Sequence, residues 1–98
     1  MTGNEAIALG AYEGGVTVGA AYPGTPSTEI LENLALYPGI DCNWSPNEKT
    51  ALEAGIGASM EGARVLVTMK HVGVNVAADP LMTLSYTGVG GGLVLVSA

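Results

Sequence analysis

Three features of the sequence predict an α/β fold in three layers, a parallel sheet flanked by helices. Short apolar stretches alternate with segments of helical character, an order that requires right-handed crossovers and parallel strands. One stretch, Arg64 to Met69, is apolar with several β-branched residues and reads as a strand buried on both faces. The chain has 98 residues, enough for one domain with one core.

The elements follow in order. Asn4 to Glu13 mixes Ala6, Ile7, Leu9 and Ala11 with polar positions; Gly3 or Asn4 can cap it and Gly14-Gly15 can end it, so it reads as a helix. Val16 to Tyr22 reads as a strand, and Tyr22-Pro23-Gly24-Thr25-Pro26 as a turn. Thr25 then suits an N-cap and Pro26 a first helical residue, for a helix to Leu36 with Ile30, Leu31 and Leu34 on one face. Tyr37-Pro38-Gly39 breaks it before a strand from Ile40 to Trp44. Ser45-Pro46-Asn47-Glu48 opens the clearest helix, which runs to about Glu61 and stops at Gly62. The buried strand leads through the loop 70–73 to a helical stretch, Val74 to Tyr86, that Asp79-Pro80 should kink or split. Gly88 to Gly92 reads as a flexible loop and Leu93 to Val96 as a fourth strand.

Composition narrows the function. Charged residues make up 12% and hydrophobic residues 48%, with 15 glycines. That is little charge to cover a free-standing small domain, so residues 1–98 read as one domain of a larger subunit. The net charge of -6 leaves no basic stripe for nucleic acid or for an anionic membrane. No apolar run reaches the ~18 residues of a membrane span. Cys42, the one cysteine, has no partner for an internal disulfide and fits a reducing cytoplasm, the expected location. With one histidine and one cysteine, metal ligation by this chain alone is not expected. There is no P-loop, Rossmann glycine fingerprint or nucleophile elbow.

In a parallel sheet, ligands sit beyond the carboxyl ends of the strands. Those ends are Tyr22 to Thr25, Trp44 to Glu48 and Met69 to Gly73, and the most unusual residues of the chain fall in them. Three stretches there resemble the alpha subunit of the indolepyruvate ferredoxin oxidoreductases: Tyr-Pro-Gly-Thr-Pro-Ser-Thr-Glu-Ile (22–30), Trp-Ser-Pro-Asn-Glu-Lys-Thr-Ala-Leu-Glu (44–53) and Thr-Met-Lys-His-Val-Gly-Val-Asn-Val-Ala-Ala-Asp-Pro-Leu-Met-Thr (68–83). The resemblance covers nearly the whole chain in order and spacing; the third stretch is the most specific. It implies the pyrimidine-binding domain of the thiamine-diphosphate-binding fold, and so half of an active site. The whole enzyme would oxidatively decarboxylate an aryl-pyruvate such as indolepyruvate to an acyl-CoA and pass electrons to ferredoxin. The diphosphate-binding domain with its Mg²⁺, the iron-sulfur clusters and a beta subunit would lie outside this chain, which alone would be inactive.

By the same resemblance, Glu48 hydrogen-bonds the aminopyrimidine ring and promotes proton removal at the thiazolium carbon. From pattern alone, Ser45-x-x-Glu48 is equally a capping box with Pro46 at the first helical position. The resemblance places Thr25 near substrate and thiazolium, where its sequence position equally suits an N-cap. His71, following the buried strand into the presumed cleft, is a candidate to steer the substrate carboxylate or shuttle protons, and Lys70 to do the former. Asn75 and Asp79 are weaker candidates. Ala51, Ala54, Gly55, Ala58 and Gly62 form a small-residue stripe for close packing, on the domain's own sheet or on a partner. Two rivals remain open: a related enzyme for pyruvate, another 2-oxoacid or a phosphono- or sulfopyruvate, and a non-catalytic interaction domain.

Overall fold

The structure, a computed structural model, describes residues 3–24, 27–88 and 90–97, with the backbone alone at 71, 83 and 85–87. The elements run α1 (Gly3–Glu13), β1 (Val18–Ala21), α2 (Thr28–Leu34), β2 (Asp41–Trp44), α3 (Glu48–Met60), β3 (Val65–Met69), a 3-10 segment (His71–Asn75), α4 (Ala78–Thr87) and β4 (Leu93–Ser97). The strands form one parallel sheet in the order β2-β1-β3-β4, as expected. In register, Ala21 of β1 lies between Trp44 of β2 and Thr68 of β3.

All five residues of β3 are buried, as its composition predicts. Because side chains alternate across a strand, they feed two clusters. Val65, Val67 and Met69 pack with Ala20, Ala51, Leu52 and Ala77, on the side of α3 and α4. Leu66 packs with Ala8, Ala21, Ile30, Leu31 and Leu34, on the side of α1 and α2. Each fully buried aliphatic side chain stabilises the fold by roughly 1.5–3 kcal/mol, so the helices are held to the sheet from both faces.

Small residues set how closely those layers approach. A Cβ on Gly19 would stand 2.8 Å from Leu31 Cδ1, so α2 rides directly on β1. A Cβ on Gly55 would stand 2.5 Å from Val67 Cγ2, so α3 rides directly on β3. Ala51 and Gly55 of the small-residue stripe thus serve the domain's own sheet, whereas Ala54 is exposed. Gly57 is exposed and has nothing within 4 Å of a would-be Cβ. α3 ends where expected, at Gly62, whose φ of 95° favours glycine.

Local details differ from the sequence-based expectations in several places. The helix expected from Pro26 starts at Thr28, and its N-cap position is Ser27 rather than Thr25. There, Thr28 Oγ1 accepts from the Gly24 N–H at 2.6 Å, and Ser27 Oγ donates to the Gly24 carbonyl at 2.8 Å. The segment Lys70-Gly73 is not wholly loop, because a 3-10 helix starts at His71. The stretch 74–86 is split, as the Asp79-Pro80 pair implied, but ahead of that pair: α4 begins at Ala78, which puts Pro80 in the first turn, where its missing N–H has no helical partner to lose. Finally, the glycine-rich loop is pinned rather than free. Ser59 Oγ donates to the Gly91 carbonyl and the Gly91 N–H to the Ser59 carbonyl, both at 2.7 Å, and a Cβ on Gly91 would overlap the Ala63 carbonyl.

The two glycines of α3 should therefore respond oppositely to alanine. Gly55→Ala inserts a carbon into packed space and should destabilise by about 1–3 kcal/mol. Gly57→Ala removes backbone entropy from the unfolded chain and should stabilise by about 0.5–1 kcal/mol. Denaturation midpoints of the full-length polypeptide check this; a neutral Gly55→Ala would contradict the tight seating of α3 on β3.

Candidate functional site

Strand order locates the site. From β1 the chain moves out to β2, then crosses back over β1 to reach β3. The connections after β1 and after β3 leave the sheet edge in opposite senses, and in open parallel sheets such a switch point is where a crevice is expected, at the carboxyl ends of the two neighbours. The segment after β1 and the 3-10 segment after β3 border this crevice, and α3 begins beside it.

Two close approaches tie these segments together. A Cβ on Gly24 would lie 2.9 Å from Lys70 Cβ, so the chain leaving β1 touches the chain leaving β3. A Cβ on Gly73 would lie 2.6 Å from Glu48 Cγ, 2.7 Å from its Oε1 and 2.9 Å from its Cδ. The Glu48 carboxyl group therefore rests on the 3-10 backbone. The convergence of the three strand-end loops, expected from sequence, is present in the fold.

Glu48 is the first residue of α3, and the capping box is not there. The N-cap is Asn47, whose side chain accepts from the Thr50 N–H at 2.8 Å. Thr50 is the third helical residue, the position from which a glutamate would have to reach back to close such a box. Ser45 instead donates its N–H to the Ala21 carbonyl at 2.8 Å, and Pro46 precedes the cap rather than opening the helix. Among the described residues, no hydrogen bond or ion pair holds the partly buried Glu48 carboxylate.

The other candidates fall unevenly. Lys70 is exposed and its stem lies along Gly24; among the described residues it forms no ion pair. His71 opens the 3-10 segment beside the crevice, and its side chain lies outside the description, as does Thr25 entirely. Asn75 is exposed at the end of that segment. Asp79 pairs with Lys49 at 3.3 Å, linking the first turns of α3 and α4 through an exposed bridge of small energetic worth. Burial, and then the Asp41 carboxylate beside it, push the Cys42 thiol up, which leaves it a poor nucleophile at neutral pH. Among the described residues no group of three or more His, Cys, Asp and Glu side chains is placed to hold a metal ion, and no helix is long and apolar enough to cross a membrane.

Sequence reasoning missed three contributors: Gly24, Gly73 and Asn47. Asn47 carried a signal, as a preferred capping residue two places after Ser45. The glycines carried none, because their role depends on which side chain the fold sets against them. Thr68 Oγ1, also unforeseen, is fully buried near the end of β3 with no hydrogen-bond partner among the described residues.

No family model matches the chain. Known proteins do. It is 54% identical, across its whole length, to the indolepyruvate oxidoreductase subunit IorA of Archaeoglobus fulgidus, of which it spans 17%. It is 39% identical over 76% of its length to the ketoisovalerate oxidoreductase subunit VorA of Pyrococcus horikoshii, spanning 20% of that subunit. Among solved structures, a 2-oxoglutarate:ferredoxin oxidoreductase from Magnetococcus marinus, with 2-oxoglutarate, coenzyme A and succinyl-CoA bound, superposes with a TM-score of 0.89 at 27% identity. That match covers 99% of this chain and 18% of the other. The chain is thus a full-length sequence relative of one stretch of the IorA subunits and shares its fold with a 2-oxoacid:ferredoxin oxidoreductase.

The cap assignment has a direct test. Asn47→Ala should cost about 1 kcal/mol of stability, and Ser45→Ala should cost less than half of that. Thermal unfolding of the full-length polypeptide reads both; the reverse ranking would restore the box.

Proposed function

We propose that this relative of the IorA subunits is a pyrimidine-binding domain, one wall of a thiamine diphosphate site in an enzyme that oxidatively decarboxylates an aryl-pyruvate such as indolepyruvate. The product would be an acyl-CoA and the electron acceptor ferredoxin. The 54% identity of this chain to a stretch that makes up 17% of IorA supports the reaction class, and the fold shared with part of a 2-oxoacid:ferredoxin oxidoreductase agrees with it. The observation that carries the site assignment is the Glu48 carboxylate, placed beside the crevice of the sheet with no hydrogen bond or ion pair among the described residues.

Bound thiamine diphosphate supplies an electron sink for the pair released when a 2-oxo acid loses carbon dioxide. The chain fits that group at one point. A carboxylate whose oxygens have no partner among the described residues accepts a hydrogen bond from a ring nitrogen and holds a proton at Oε1 or Oε2. Its backbone anchor at the first helical position and the glycine beneath it limit where that proton can be held. The exposed ammonium of Lys70 attracts a substrate carboxylate. To Thr25 and His71 we assign contact with the thiazolium and substrate, and to His71 proton transfer as well. Mg²⁺, the diphosphate-binding domain, the iron-sulfur clusters and the beta subunit are assigned to regions and chains beyond these residues. A cytoplasmic setting fits the single thiol and this chemistry.

The substrate is the less constrained part. The VorA match and the 2-oxoglutarate complex place relatives of this chain with other 2-oxoacids, so a branched-chain or dicarboxylic 2-oxoacid is the competing reading. A purely docking role is disfavoured by a carboxylate that has no partner among the described residues.

In the full-length, assembled enzyme, Glu48→Gln should leave assembly intact and lower turnover by at least about a hundredfold. Unchanged turnover would remove Glu48 from the cofactor's chemistry. A panel of 2-oxoacids given to the wild-type enzyme should show preference for aryl-pyruvates, and activity confined to non-aromatic acids would reject that substrate. Calorimetry on the 98-residue chain alone should detect negligible thiamine diphosphate binding.

A further inference from the structure

Gly73 is a glycine that its own backbone does not require. Its φ is not positive, so an L-residue can adopt its conformation. Its N–H donates to the Lys70 carbonyl at 2.8 Å, and its carbonyl accepts from Val76 at 3.0 Å and from Ala77 at 3.2 Å, bonds that a side chain at this position would leave in place. What a side chain would meet is Glu48. The three atoms nearest to a would-be Cβ, at 2.6, 2.7 and 2.9 Å, are Cγ, Oε1 and Cδ of that one residue. By contrast, a Cβ on Gly91 would meet backbone, and one on Gly57 would meet nothing.

We propose that Gly73 is the positioning residue for Glu48: the missing Cβ creates the space in which the carboxyl group lies, and so sets where its oxygens stand beside the crevice. The inference rests on the reading of Glu48 as the cofactor-facing carboxylate and adds to it the residue that places it.

The geometry also says how the device fails. Overlap with backbone, as at Gly91, would force the fold to move. Overlap with Cγ, Cδ and Oε1 of a side chain is relieved by rotating that side chain about χ1. Gly73→Ala therefore leaves the 3-10 segment and α3 standing and drives the Glu48 carboxyl group away. Glu48→Ala removes Cγ, Cδ and Oε1, the three atoms that a Cβ at residue 73 would meet, and should make the enzyme indifferent to what stands there. That coupling separates a positioning role from a structural one, because contacting residues are non-additive and independent ones are not.

The test is a double-mutant cycle in the full-length, assembled enzyme. Turnover, thiamine diphosphate affinity by calorimetry and thermal midpoint are measured for wild type, Gly73→Ala, Glu48→Ala, the double variant and Glu48→Gln. Expected for Gly73→Ala are an intact assembly, turnover down by about a hundredfold and cofactor affinity down by about tenfold. In the Glu48→Ala background, adding Gly73→Ala should change turnover and affinity by no more than about twofold. Equal losses in both backgrounds, or failure of Gly73→Ala to assemble, would overturn the proposal and make the glycine structural. Wild-type behaviour of Gly73→Ala beside an impaired Glu48→Gln would overturn it too, while leaving the role of Glu48 intact. An unimpaired Glu48→Gln would overturn the reading on which both stand.

Discussion

The burial of β3 on both faces is the constraint from which the rest of the structure follows. A five-residue strand with no exposed side needs helices above and below it. The chain supplies α1 and α2 on one face and α3 and α4 on the other, and it reaches the second face only by crossing from β2 over β1 to β3. That crossing puts the start of α3 next to the exits of β1 and β3. Glu48, Lys70 and Gly73 share one region because the hydrophobic core needed its helices distributed that way.

Packing tolerance then decides what the region looks like in detail. Glycines at 19 and 55 let α2 and α3 approach the sheet to within side-chain contact, and glycines at 24 and 73 let the loops approach each other at its carboxyl edge. The first pair exchanges helix propensity or strand strength for core density. The second pair lies outside regular packing layers, against Lys70 and Glu48, both candidates for the site. A residue type that weakens elements is tolerated where closeness matters more.

The layers were legible in the sequence because they rest on period and burial, which every residue of an element reports together. β3, the helix of Ile30, Leu31 and Leu34, and the end of α3 at Gly62 were readable for that reason. Helix starts were less so, because each rests on one hydrogen bond for which neighbouring residues compete. Ser45 and Asn47 are both good caps, and the ladder bond from the Ser45 N–H to Ala21 removes Ser45 from the contest. At α2, the turn closed by Gly24, Ser27 and Thr28 places the cap position later than the Thr-Pro pair implied. The glycine at 73 was out of reach altogether, since its meaning lies in a contact across 25 residues of chain. The resemblance pointed to Glu48; composition and pattern alone favoured the cap that the structure removes.

The loss of the capping box changes the energetic status of Glu48. A carboxylate closing a box would be satisfied within its own helix and would have little left to offer a ligand. Without the box, a partly buried carboxylate stands at a helix N-terminus, where the backbone dipole favours its charge, but with no donor among the described residues. Leaving such a group unpaired as its surroundings close over costs free energy, so a partner that brings a donor to it gains more than the bond alone. Trp44, Val72 and Val76 stand exposed on the same loops, apolar surface of the kind that a covering domain would bury. Covering those side chains would also exclude water from the Glu48 oxygens and strengthen any hydrogen bond they accept. On the proposed function, the exposed apolar side chains and a carboxylate without a partner among the described residues are one requirement: a covering wall that buried the first would make the second effective.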